Sequence, residues 1–387
     1  MNKADANENN KYVNNIRLYD EIMPTVEKKA NLNRYNMLRG PQTDLQTFKN
    51  EVEGEVRSTI NSYISKLEGK EERERMTYYL DIESSFRRPV NLILTGMALG
   101  AEKKDLIKLA SAIQLSQEFI LIADDFIDKS KMRRGRESYV SKYGGENTVN
   151  DALMLISVTW EMLVDYINER RESLGDAQAD AIRHKFYEIG SLTYYGESKD
   201  INMMNKVGSL AKISYEDCIL MTNLKTSAYT VWGPMQLGAL AAGADEKALE
   251  AIREIGEPAG TAFQILDDIK DITATKEQLG KEPFSDIRES KPTIIILKVF
   301  ERANSEEKQE IDAIFKKSSA EKTEKDIKRI VSLIEKYKGI EYAEQEVQKW
   351  TEIATERFVK YDSDPEFRSM IKSSKHLGWL LASIALI

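Results

Sequence analysis

Apolar residues in this chain recur every three or four positions. Leu45, Phe48, Val52, Val56, Ile60 and Ile64 form one such set, and Ile340, Ala343, Val347, Trp350, Ile353 and Ala354 another, which places each set on one face of a helix. Nothing alternates with the period of two that a half-buried strand requires. Proline accounts for only 8 of 387 residues and glycine for 20, both below their usual share. Turn-dense all-β folds, collagen and proline-rich disorder are excluded, and an all-α fold is expected.

The two periodic sets read as outer, half-buried helices. Segments 106–123 and 152–167 are apolar round most of their circumference, as helices enclosed by other helices are. A third apolar segment, 227–243, carries Gly233-Pro234, where the missing N–H and the ring clash predict a kink or a break. Proline and glycine gather at 132–145 and 280–292, which read as loops too short to link domains. The asparagine-rich residues 1–16 read as a disordered leader and 17–387 as one large helical domain. The apolar tail His376–Ile387 spans only about 18 Å as a helix, against about 30 Å of hydrocarbon, so it reads as a buried last helix or an oligomer contact.

Lys plus Arg number 56 and Asp plus Glu 64, a formal charge of −8 that makes nucleic acid an improbable partner. One cysteine, Cys218, and two histidines, His184 and His376, exclude internal disulfides, multi-cysteine metal sites and histidine clusters. Any metal must be held by carboxylates. The start has no apolar signal-peptide core and no run of 18 apolar residues occurs, so a soluble, cytoplasmic protein without a membrane span is expected.

The sharpest local feature is Asp124-Asp125-Phe126-Ile127-Asp128, directly after an apolar helix, with its spacing repeated at Asp267-Asp268-Ile269-Lys270-Asp271. In a helix, residues four apart share a face, so Asp124 with Asp128 and Asp267 with Asp271 present paired carboxylates whose repulsion a cation must offset. Oxygen-only ligation selects a hard ion such as Mg²⁺, which completes its shell with water and phosphate oxygens. Basic residues stand beside both clusters: Arg133-Arg134 after the first, Lys281, Arg288 and Lys291 after the second. Carboxylates, Mg²⁺ and basic side chains together describe a diphosphate site. A single such cluster is more often a solvated helix end; two, each flanked alike, are not.

These residues resemble a known family. Gln117 through Asp128, continuing to Arg133-Arg134-Gly135, is similar to the first aspartate-rich motif of the trans-isoprenyl diphosphate synthases, in a form nearest the farnesyl diphosphate synthase branch. Lys225-Thr226, Phe263-Gln264-Ile265-Leu266-Asp267-Asp268, and Gly280-Lys281 through Asp286 to Lys291-Pro292-Thr293 match further signatures in the family's order. The resemblance implies an isoprenoid synthase-type helical bundle with both motifs facing a central cavity, and a homodimer. It implies elongation of an allylic diphosphate with isopentenyl diphosphate, using three Mg²⁺ ions with the bound diphosphate. Carried over, Asp124, Asp128 and Asp267 ligate metal, with Asp125, Asp268 and Asp271 close behind. Arg133, Lys225, Thr226, Gln264, Lys281 and Lys291 hold the allylic substrate; Arg88, Gln117 and Arg134 hold isopentenyl diphosphate. Phe119, about 7–8 Å down the helix from Asp124, and Ile120 limit chain length, so farnesyl or geranylgeranyl diphosphate is the expected product.

Two positions depart from the family pattern. Where the family has Gly-Lys-x-x-Arg, this chain has Ser84-Ser85-Phe86-Arg87-Arg88, and the missing charge-assisted contact is worth about 1.5–3 kcal/mol. Arg87, if helical with Ser85, would point elsewhere. Glu197 replaces glutamine in Gly196-Glu197-Ser198-Lys199-Asp200 and adds a negative charge that needs a lysine or a metal. These departures motivate one alternative, a weakly active or inactive partner subunit; another is a terpene synthase or a prenyltransferase with a different acceptor. Six clustered carboxylates speak against the first. A cyclase would carry an Asn/Ser/Glu metal motif in place of the second aspartate cluster.

Overall fold

A computed structural model describes residues 42–82, 84–206 and 210–385; the expected leader lies outside them. The principal helices are α1 (Gln42–Ile64), α2 (Arg87–Ala98), α3 (Lys103–Ile127), α4 (Gly145–Leu174), α5 (Asp176–Lys206), α6 (Tyr215–Thr222), α7 (Gly233–Ala241), α8 (Glu246–Thr273), α9 (Ile294–Arg302), α10 (Gly339–Asp362) and α11 (Ser374–Ala385), joined by shorter helical turns. Helix α3 sits at the centre and packs against α1, α2 and α4, while α7 packs on α2 and α10 on α8. By length and composition α3 would suffice to cross a membrane, but most of its apolar stretch is buried inside the bundle.

The periodic sets of α1 and α10 bury the faces their spacing predicts: Val52, Val56 and Ile60 are fully enclosed, as is Ala343. Burial of each large aliphatic side chain contributes about 1.5–3 kcal/mol. The buried apolar residues form two clusters. One joins α1–α5, α7, α11 and the first half of α8; the other joins α9, α10 and the second half of α8, from Ala262 to Ile269. Helix α8 therefore ties both clusters together, and the second aspartate cluster lies on the half that enters the smaller one.

Three expectations are refined. Helix α4 is not enclosed all round: Val149, Leu153, Trp160 and Val164 lie exposed along it, a stripe at helical spacing. The segment 132–145 holds a hairpin, β1 (Met132–Arg133) paired antiparallel with β2 (Arg136–Glu137). Strands this short show no alternation in the sequence. Their turn has φ of 50° at Arg134 and 78° at Gly135, the left-handed pair that a tight two-residue hairpin turn requires. The chain stays helical through Gly233-Pro234, where a break is expected: a π-helical stretch, Asn223–Trp232, passes into α7 there, with the proline in the first turn of α7. The tail forms α11 and is buried: Leu377 and Leu380 are covered, Trp379 packs 5.3 Å from Phe48, and Ser383 Oγ donates to Asn91 Oδ1 at 3.2 Å.

Helices α2 and α7 touch backbone to backbone. A Cβ on Gly238 would stand 2.0 Å from the Leu92 carbonyl oxygen, whereas one on the exposed Gly54 of α1 would meet nothing within 4 Å. Gly238→Ala should therefore lower stability by at least ~1–3 kcal/mol, and Gly54→Ala should raise it by ~0.5–1 kcal/mol. Chemical denaturation of both variants checks this, and like signs would contradict the packing described.

Candidate functional site

Helix α3 delivers the first aspartate cluster at its C-terminus, where Asp128 is the cap. Asp124 and Asp128 face a cavity of about 710 Å³ that Asp267, Asp268 and Asp271 of α8 also line. Asp125 points the other way. It is fully buried, accepts from Arg133 Nε at 2.8 Å and from the Tyr79 hydroxyl, and so anchors the arginine that also reaches Asp124 at 3.3 Å.

Fixed cations bridge the two sides. Lys291, in the loop before α9, lies 3.2 Å from Asp128, and Lys281 lies 3.3 Å from Asp271. Lys225 stands among three carboxylates: Glu197 at 2.6 Å, Asp200 at 2.9 Å and Asp124 at 3.6 Å. The extra charge of Glu197 thus finds a lysine, as its position required. Burial would raise Asp124, but Lys225, Arg133 and Lys291 outweigh it and hold the carboxyl at about 2. Burial, opposed by Lys291 and aided by the Asp124 charge, pushes Asp128 up to about 7. Asp286, half-buried, is likewise pushed up to about 7 by desolvation and by the charge of Asp271.

Lys225 and Thr226 reach the cavity from a π-helical segment, Asn223–Trp232, that continues α6. The wider turn is accommodated because Gly196 of α5 has no side chain: a Cβ there would stand 2.6 Å from the Lys225 amide nitrogen. Thr226 Oγ1 donates to Gln264 Oε1 at 2.7 Å, and Gln264 Nε2 donates to Asp268 Oδ1 at 2.8 Å. Asp271 closes the loop that follows, accepting from Ser285 Oγ at 2.6 Å and from the Asp286 amide at 3.0 Å. The buried Lys322 ammonium steadies the same loop, donating to the Arg288 carbonyl at 2.8 Å and to Ser290 Oγ. The hairpin tip meets it as well, with the Gly135 amide donating to the Gly280 carbonyl at 2.6 Å.

A second cavity of about 830 Å³ shares Asp124, Lys225, Thr226, Gln264 and Asp267 with the first and runs down between α3, α4 and α5. Its walls include Phe119, Ile120, Ile156, Trp160 and Phe186, and Arg88, Gln117 and Phe263 line it as well. Arg88 stacks 4.3 Å from the Tyr229 ring centroid and donates to Thr230 Oγ1 at 2.8 Å. Arg134 pairs with Glu118 at 3.2 Å and donates to the Tyr79 carbonyl at 2.9 Å. Sequence reasoning did not single out Glu118, Tyr79 or Tyr229 as site residues. Each acts through a partner remote in sequence, so no local spacing marks it.

The donors fit a hard divalent cation. They are oxygen atoms only, on both walls of one cleft, and among the described residues no three of them converge into a closed cage. That suits an ion which takes one or two carboxylates and leaves the rest of its shell to water and phosphate.

Two carboxylate clusters opposed across a cation-lined cleft, with an apolar channel leading from it, define a helical enzyme that acts on an apolar diphosphate. The sequence profile of the Polyprenyl synthetase family matches residues 69–334. The chain belongs to that family and is by class an isoprenyl diphosphate synthase, a prenyltransferase. It is 27% identical over 304 residues to the geranylgeranyl diphosphate synthase of Sulfolobus acidocaldarius, covering 78% of this chain and 88% of that one. It is 31% identical over 226 residues to the farnesyl pyrophosphate synthase of Saccharomyces cerevisiae, covering 57% of this chain and 62% of that one. The structure of geranylgeranyl pyrophosphate synthetase from Pyrococcus horikoshii Ot3 has the same all-α fold, with a TM-score of 0.73 at 23% identity over 89% of this chain and 98% of that one.

Burial keeps protons on Asp128 and Asp286 up to about pH 7, whereas an unfolded aspartate releases its proton near pH 4. Between those limits the folded protein binds more protons, so these groups contribute stability that is lost as pH rises. In chelator the melting temperature should fall from about pH 5 to about pH 7.5, and Asp128→Asn should flatten the fall. Added Mg²⁺ should raise the melting temperature more at pH 8 than at pH 5.5, because ionised carboxylates bind it better. A larger effect of Mg²⁺ at acid pH would count against the assignment.

Proposed function

We propose that the enzyme condenses isopentenyl diphosphate with an allylic diphosphate, head to tail, to give farnesyl or geranylgeranyl diphosphate. The observation that carries this reading is the continuity of the charged cleft with the apolar channel through Asp124, Lys225, Thr226, Gln264 and Asp267. A diphosphate head and a hydrocarbon tail need those two surfaces joined.

Asp124, Asp128 and Asp267 would hold Mg²⁺, which supplies Lewis-acid charge to the diphosphate leaving group when bound. Arg133, Lys225, Lys281 and Lys291 are fixed cations around the same space, and they stabilise the charge that develops on pyrophosphate as the allylic C–O bond breaks and its electron pair leaves. Their ion pairs hold them in place before substrate arrives. The Thr226 hydroxyl and the Gln264 side-chain carbonyl lie where the channel meets the cleft; they stabilise the allylic cation by their dipoles without adding to it. The double bond of isopentenyl diphosphate then attacks, a carbon–carbon bond forms, and the proton lost from the adduct goes to the departing pyrophosphate. No histidine lines either cavity, which suits a base supplied by the leaving group.

Phe119 is almost fully buried and, with Ile120, narrows the channel below Asp124. Purified protein incubated with Mg²⁺, labelled isopentenyl diphosphate and each of dimethylallyl, geranyl and farnesyl diphosphate should yield labelled C15 to C20 chains. Asp124→Ala should lower kcat by roughly a hundredfold or more, and Phe119→Ala should lengthen the product. An unchanged product length would place the floor elsewhere, and no labelled chain with any primer would sink the reading.

The exposed stripe of α4 continues onto α5 in Tyr187, Tyr194 and Tyr195. Trp160, Tyr187 and Tyr194 also line the channel, so a second copy packed on this face would cover its outer wall. An exposed apolar patch of this kind marks an interaction site, and we infer a homodimer. Analytical ultracentrifugation should give a dimer for the native chain and a monomer for Leu153→Glu; a dimer unaffected by that change would place the interface elsewhere.

A further inference from the structure

We propose that Arg87 supplies the cation for isopentenyl diphosphate that position 85, a serine here, lacks. This rests on the reading of Arg88, Gln117 and Arg134 as that substrate's pocket.

Residues 84–86 are not helical, and Phe86 precedes α2 with φ of 44°. This left-handed residue breaks the helical register between Ser85 and Arg87, so the count along a helix that would turn Arg87 away from position 85 does not apply. Ser85 is exposed, while Arg87 is half-buried with its guanidinium 4.8 Å from the centroid of the Phe263 ring. Phe263 lines the channel, as Arg88 and Gln117 do; Arg87 is not itself a lining residue, and the stacking holds its charge against a side chain of the channel wall. Arg57 lies 4.9 Å from the Phe86 ring and braces the turn from behind.

The charges there do not balance. Among the described residues Arg87 has no hydrogen bond or ion pair, and its burial lowers its pKa with Asp267 the opposing charge. Lys49 of α1 is lowered by burial and by Arg87, and Lys270 of α8 is lowered by burial and, against the raising charge of Asp267, by Arg87. Arg88 is lowered to about 10 by burial, with Arg134 and Arg87 both adding to the fall. Arg87 thus repels cations of α1, α2 and α8 with Asp267 and Glu118 the carboxylates that oppose them, and an incoming polyanion relieves the repulsion that remains. Ser84 Oγ, Arg88 Nε and Gln117 Oε1 are buried without hydrogen-bond partners. Arg88 and Gln117 both line the channel, and unpartnered polar atoms on a cavity wall mark a place where a polar ligand completes the bonding.

The test compares native protein with Arg87→Ala, Arg87→Lys and the double variant Ser85→Lys/Arg87→Ala. Steady-state turnover is read alongside calorimetric titration with isopentenyl diphosphate in chelator. Arg87→Ala should raise the KM and Kd for isopentenyl diphosphate roughly ten- to a hundredfold, with kcat and the allylic KM changed by less than about threefold. Arg87→Lys should recover part of the loss, and the added lysine at position 85 should recover most of it. A KM and Kd within twofold of native for Arg87→Ala, or an equal rise in the allylic KM, would overturn the inference. If native protein turns over no primer yet Arg87→Ala still weakens isopentenyl diphosphate binding, the proposed reaction fails while the assignment of Arg87 stands. If native protein does not bind isopentenyl diphosphate at all, both fall.

Discussion

The structure depends on holding carboxylates close together in a cleft that water reaches poorly. Left alone they would repel one another or take up protons. The protein prevents this with cations from other parts of the chain: Arg133 from the hairpin, Lys225 from the π-helical segment, Lys281 and Lys291 from the loop after α8. The compensation is uneven. Three cations act on Asp124 and keep it ionised, whereas burial dominates at Asp128 and lifts it to about 7. The cleft thus sets one carboxylate that is already charged beside another that keeps its proton up to about pH 7.

That lattice of charges explains several local peculiarities. A regular helix from α6 into α7 would not present Lys225 and Thr226 as the π-helical turn does, and the turn fits only because Gly196 lets α5 approach its backbone. The loop after α8 is pinned from several directions, by Asp271, by Lys322 and by the hairpin tip at Gly280. Lys281 and Lys291 are therefore set in place before any substrate arrives, and less reorganisation is needed when charge develops on a leaving group. Asp271 and Asp125, which look equivalent to their neighbours in the motifs, are engaged in this support: one accepts from the loop, the other from Arg133 and Tyr79.

Below the cleft the chemistry changes from charge to shape. Helices α3, α4 and α5 line an apolar channel, and its aromatic residues come from all three. Phe119 is on the central helix, while Trp160 and Phe186 meet edge to face at 6.0 Å nearer the exposed side of α4 and α5. Channel and surface patch thus share side chains, Trp160 of α4 and Tyr187 and Tyr194 of α5 among them, so the outer wall of the channel is also an exposed apolar face.

Much of this was legible in the sequence. Helical class followed from a period of three to four and a shortage of proline, because both act within one turn of backbone. The paired carboxylates and adjacent basic residues were visible for the same reason: residues four apart on a helix share a face whatever surrounds them. Tertiary structure alone decided what depends on remote partners. It gave Glu197 its lysine, turned Asp125 inward, left one face of α4 uncovered and folded 132–137 into a hairpin too short to show a pattern. It also placed Arg87 on Phe263, because a single left-handed residue at Phe86 resets the register on which any count from Ser85 would rely. Local spacing determines which groups lie side by side, but burial and long-range charge decide which of them keep their protons and where they point.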